Sequence, residues 1–163
     1  MDALNMAKKK FKWIIFSAIL SVALIFIFAR FFNKNAGEEN ILEVNLREHK
    51  NLALHIHPFL EIEILGQQYT IPANTGISAK GMRVIHTHDS TGKLHVESPY
   101  PHQFYLKDFF SVWKKSINSS CIFDYCEDDA HVLEFYVNGV KSEERENLSL
   151  KDGDAIKIVY KKK

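Results

Sequence analysis

The chain has 163 residues and a formal net charge of +1 with histidines neutral. That total hides a split. Residues 1–35 hold six Lys/Arg and one acid, for +5, while residues 36–163 hold 15 and 19, for −4. A mildly acidic main portion argues against nucleic acid as a partner, because that role needs a basic face.

Trp13 to Phe32 reads WIIFSAILSVALIFIFARFF, with Arg30 its one charge. About 20 helical residues span the roughly 30 Å hydrocarbon core of a bilayer, so this stretch predicts a transmembrane helix. Lys8, Lys9, Lys10 and Lys12 precede it, against Arg30 and Lys34 after it. The positive-inside rule then sets the N-terminus in the cytoplasm and the rest outside. A cleaved signal peptide is the rival reading, but its apolar core is shorter and ends at a small-x-small site, which Ala29-Arg30-Phe31-Phe32 does not offer. The expected organisation is a basic cytoplasmic N-terminus (1–12), a membrane helix (13–32), a linker (33–53) and an extracytoplasmic domain (54–163). Within the linker, Ile41, Leu42, Val44 and Leu46 suggest a short juxtamembrane helix.

Strand signals dominate the domain. Leu60-Glu61-Ile62-Glu63-Ile64 alternates apolar and acidic residues, the pattern of a half-buried strand. Gly66-Gln67 marks a turn, and Tyr69-Thr70-Ile71 reads as the return strand, ended by Pro72. A second hairpin is expected from Val84–His88 and Leu94–Glu97. Leu106, Phe109, Phe110 and Trp113 then fall at i, i+3, i+4 and i+7, the core face of a helix. Val132–Val137 runs into Asn138-Gly139, a tight-turn signal. Glu143–Glu146 reads as a solvated loop, Ala155–Tyr160 as the last strand and Lys161-Lys162-Lys163 as a solvated tail.

Hairpin, helix, strand with Asn-Gly, and the Leu150-Lys151-Asp152-Gly153-Asp154 turn into a final strand together resemble the β-grasp fold of ubiquitin-like proteins over roughly residues 58–160, with 78–102 as an insertion. The resemblance implies an α+β domain, a mixed sheet packed on one helix, with an inserted β-hairpin. The end of the chain looks like that of the small sulfur-carrier members, which act through a terminal Gly-Gly. Here the chain ends Tyr160-Lys161-Lys162-Lys163, so the resemblance implies the fold and not that activity. The His-Thr-His-Asp … Gly … His-Val-Glu run is also similar to that of uncharacterised membrane-anchored or secreted extracytoplasmic domains.

That run carries the chemistry. Residues two apart on a strand share a face. His86 and His88 therefore point one way and Ile85 and Thr87 the other, while Lys93, His95 and Glu97 oppose Leu94 and Val96. A four-residue loop, Asp89–Gly92, sets Lys93 opposite His88 and His95 opposite His86, giving a buried face and a histidine face. Opposed Cβ atoms lie about 4.5–5.5 Å apart, close enough for His86, His88, His95 and Glu97 to converge on one transition-metal ion. Imidazoles suit Cu or Zn, with Glu97 as fourth ligand or orienter. His55, His57 and His102 are possible additional ligands. The alternative is a polar, hydrogen-bonded strand face with no metal.

Catalysis finds little support. Asp89 follows His88 directly, unlike the His-x-His-x-Asp-His of metallo-β-lactamases, and no Glu follows where cupins need one. Outside the cytoplasm Cys121 and Cys126 are expected to form a disulfide, since the Cys-x-x-Cys spacing of redox pairs is missing. The sequence thus reads as a single-pass, membrane-anchored extracytoplasmic binding module, with a metal-free protein–protein interaction domain of an envelope complex as the alternative.

Overall fold

In the computed structural model the chain divides into two units, Met1–Glu39 and Asn40–Lys163. The structure describes the second, residues 40–163, together with Trp13 and Ser21 of the first. The expected anchor at 13–32 otherwise lies outside the described residues, among which no helix is long and apolar enough to cross a membrane.

Alternation along Phe59–Ile64 buries Leu60, Ile62 and Ile64 and leaves Phe59 and Glu61 exposed. This strand, β2, follows β1 (Leu54–Ile56) and turns through Leu65 and Gly66, both at positive φ, into β3 (Gln67–Gln68). The return ladder therefore begins before Tyr69, whose N–H still donates to the Ile62 carbonyl at 2.8 Å. After β4 (Ile77–Ser78), β5 (Gly81–Met82), β6 (Ile85–His86) and β7 (His95–Ser98) comes the one α-helix described, α1 (Leu106–Trp113), within the bounds its apolar spacing predicts. Its start is fixed by the Asp108 carboxylate, which accepts from the Tyr105 N–H at 2.8 Å, and Lys114 ends it in the left-handed region.

The short β8 (Cys121–Ile122) and β9 (Tyr125–Cys126) carry the Cys121–Cys126 disulfide. Then β10 (His131–Val137) turns through Asn138-Gly139 into β11 (Val140–Lys141), and β12 (Ala155–Lys162) closes the chain. The main sheet is mixed, in the order β11-β10-β12-β2-β3, with β12 parallel to β2 and antiparallel to β10. The fold is thus α+β, with a mixed sheet and a helix. Phe109, Phe110 and Leu106 of α1 share one core with Leu60, Ile62, Phe135 and Ile158 of the sheet. Each such side chain, fully buried, contributes about 1.5–3 kcal/mol.

Three expectations shift. The segment read as linker sends Val44 and Leu46 into the core, held by two 3-10 turns, Ile41–Glu43 and Leu46–Glu48. The lysine tail is exposed, as expected, but Lys161 and Lys162 continue the last strand: Lys162 pairs with His131, and Lys161 Nζ lies 2.6 Å from Glu134. Glu143–Glu146 includes Arg145, half-buried, which donates to the Ser119 carbonyl.

Candidate metal centre

A smaller sheet, β1-β7-β6, carries the histidines. His86 pairs with His95, as expected of the hairpin, and His55 pairs with Glu97. Side chains two apart share a face, so His55 and His57, His86 and His88, and His95 and Glu97 form three such pairs on three adjacent strands or their ends. Two sets of three imidazoles result, His86/His88/His95 and His55/His57/His95, each with ring nitrogens within 4.8 Å of one another. His95 belongs to both. Glu97 is in neither set but touches both rings of its neighbours, its Oε1 lying 3.1 Å from His55 Nε2 and 3.7 Å from His95 Nδ1. His102 stands elsewhere, its ring against Phe104 at 4.7 Å.

The predicted division into one buried face and one open histidine face does not hold. His86 is fully buried, as are Ile85 and Thr87. The cover comes from Gly76 and α1: a Cβ built on Gly76 would lie 2.5 Å from the Ile85 carbonyl, 3.1 Å from His86 Cβ and 3.1 Å from Val112. Gly76, at φ +79°, is therefore the spacer that lets its loop lie against the His86 backbone. The tight four-residue loop is also absent. Lys93 bridges to Phe59, not His88, because the Gly92 carbonyl accepts from Leu60 and the Leu94 N–H donates to Pro58, both at 2.9 Å.

Burial decides the charge of the cluster. Desolvation pushes the His86 pKa from 6.5 down to about 4. Burial also lowers His95, helped by the nearby His88 and His57, and lowers His57, helped by Lys93 and His55. These rings are neutral at pH 7, the form that ligates metals. His86 Nδ1 lies 3.0 Å from the Arg83 carbonyl. A carbonyl only accepts, so Nδ1 carries the proton and Nε2 keeps a bare lone pair. That lone pair accepts from His88 Nε2 at 3.3 Å, and two ligands of a tetrahedral ion at about 2.0–2.1 Å stand roughly that far apart.

Arg83 and Gly76 carry no signal in sequence as parts of this site. Asp152 is a third contributor: its Oδ1 accepts from the His57 N–H at 2.8 Å and lies 3.9 Å from His57 Nδ1. It belongs to a turn 95 residues away in the chain. The alternation of Leu54-His55-Ile56-His57 is the signal that β1 belongs with the hairpin.

Comparison with family models, curated proteins and solved structures gives no match, so the functional reading rests on the chemistry of the site.

Proposed function

We propose that this protein is a membrane-anchored extracytoplasmic module that binds a transition-metal ion, Cu or Zn, through His86, His88 and His95, with Glu97 orienting the ligands. One observation carries the reading: the imidazoles of His86, His88 and His95, brought together by two paired strands, each offer a nitrogen within 4.8 Å of the others, and the buried member has its lone pair directed there by a backbone carbonyl. Nitrogen-only ligation suits Cu and Zn over the hard, oxygen-preferring cations. The outer carboxylate matches the way ligating histidines are usually held. Anchoring is supported by the apolar run 13–32 with its basic flank, and by the acidic domain that follows. A β-grasp reading of the domain is supported by the helix between two hairpins and by parallel β2 and β12 at the middle of the sheet.

The test is calorimetry on the untagged full chain, solubilised in detergent, stripped with chelator and titrated with Cu²⁺ and Zn²⁺. Affinity tighter than about 10 μM, roughly −7 kcal/mol, is expected. It should be lost in His86→Ala/His95→Ala and kept in His102→Ala. Absence of binding by the wild type would turn the reading toward a metal-free docking domain of an envelope complex.

A further inference from the structure

The donors outnumber one ion. Five imidazoles and the Glu97 carboxylate crowd together, whereas Zn²⁺ takes four ligands in a closed site and three in an open one. The rings form a chain. His88 and His95 have centroids 4.5 Å apart, His95 and His57 4.6 Å, and His57 and His55 4.6 Å. His95 is the middle link, and the two sets of three meet only there.

We propose that the cluster is a two-ion centre bridged by the His95 ring as an imidazolate. This rests on the metal-binding reading above. One ion takes His86, His88 and one nitrogen of His95; the other takes His55, His57 and the second nitrogen. The Nδ1 edge of His95 faces Glu97 Oε1 at 3.7 Å, and that oxygen is 3.1 Å from His55 Nε2. Nδ1 therefore serves the His55/His57 seat, with Glu97 as its fourth donor. Nε2, on the other side of the ring, serves His86 and His88, and the fourth position there is left to solvent, on the side where His88 is exposed. A neutral imidazole has one lone pair, so the second ion can bind only as the remaining ring proton leaves for solvent. One proton is released from His95, and its two nitrogens then hold one ion each. The imidazolate and the Glu97 carboxylate supply two negative charges between two dications, which offsets their repulsion and that from the nearby Lys93. Asp152, hydrogen-bonded to the His57 backbone, steadies the outer seat.

The experiment uses the untagged full chain in detergent and Cu²⁺ as the probe. Metal content is counted after desalting, and spins are counted by electron paramagnetic resonance at pH 8. The expected result is two coppers per chain with far fewer than two visible spins, since an imidazolate couples two Cu²⁺ ions antiferromagnetically. His57→Ala, at a half-buried position, should hold one copper that is fully visible, with unchanged circular dichroism. One copper per wild-type chain, unaffected by His57→Ala, would overturn the two-ion centre and leave the single-site reading standing. Two coppers with two full spins, or coupling that survives His95→Ala, would overturn the bridge. No copper in any variant would overturn both readings together.

Discussion

Acid should unfold the metal-free protein through His86 before its carboxylates are protonated. The folded-state pKa is about 4 against 6.5 for the free side chain, because burial disfavours the imidazolium. Above pH 6.5 both states are neutral at this ring and it makes no difference. As pH falls below 6.5 the unfolded chain takes up a proton that the folded chain refuses, so stability drops until about pH 4, where the folded ring titrates as well. Each pKa unit is worth 1.36 kcal/mol, so the shift amounts to about 3 kcal/mol of lost stability across that window, a large part of the roughly 5–15 kcal/mol of a typical domain. Glu134 acts lower. Lys161 and the Tyr136 hydroxyl, hydrogen-bonded to its carboxylate, hold it at about 2, so its contribution is lost below pH 4.5. Urea unfolding of chelator-treated wild type and His86→Asn at several pH values between 7 and 4 isolates the effect. Asn keeps an N–H near the Arg83 carbonyl but cannot titrate. The wild-type-minus-variant stability should fall with acid by up to about 1.4 kcal/mol per pH unit, the limit for one proton. A flat difference would refute the reasoning, whatever the separate curves do.

Glu97→Gln should weaken Zn²⁺ or Cu²⁺ binding at the His86/His88/His95 seat by about 10–100-fold, the usual cost of losing an outer-shell carboxylate, as read by calorimetry. Gly76→Ala should destabilise by more than about 1 kcal/mol, since alanine at this positive φ is strained and its Cβ would meet the Ile85 carbonyl; thermal unfolding checks it, and metal affinity should drop in parallel because His86 Cβ is the next atom displaced. Cys121→Ser/Cys126→Ser should cost roughly 2 kcal/mol, the chain-entropy value for so short a loop, without altering metal affinity; an unchanged urea midpoint would count against it.

The sequence is legible where a local pattern decides the outcome. Leu106, Phe109, Phe110 and Trp113 lie on one helix face whatever they pack against, and Asn138-Gly139 sits at φ 52° and 81°, values that few residues besides Asn and Gly accept readily. Alternation sets His86 and His95 on one face, and the structure pairs them although the four-residue loop from which that register is expected is absent. What covers a strand is not legible in this way. Nothing within Val84–Glu97 tells that Gly76 and Val112 close over His86, so its burial, and the pKa that follows, are invisible locally. The third strand is harder to see for a related reason: His55 meets Glu97 across some 40 residues of chain, and the short alternation of Leu54-His55-Ile56-His57 is its one signal. Asp152 is more remote still, and a turn aspartate has a local explanation that masks its contact with His57.

A purely structural role for the histidines fits the geometry poorly. A core histidine needs both ring nitrogens satisfied, and His86 meets that need at Nδ1 through the Arg83 carbonyl, yet its Nε2, an acceptor in that tautomer, is set against another imidazole where a hydroxyl or amide N–H donor would serve a core better. Adjacent imidazoles repel once protonated, which is why His88 and His57 both push His95 down. As a stability device the cluster makes the fold acid-sensitive and offers only ordinary hydrogen bonds in return. The same features favour a cation. Low pKa values keep the lone pairs available below pH 7, the buried tautomer is fixed by backbone, and the ring-to-ring spacing already matches the separation of ligands around one ion. The burial that costs stability in acid is thus what prepares the site, and at neutral pH, where His86 forfeits nothing, a bound ion adds stability outright: at a free metal concentration 100 times Kd the folded state gains about 2.7 kcal/mol.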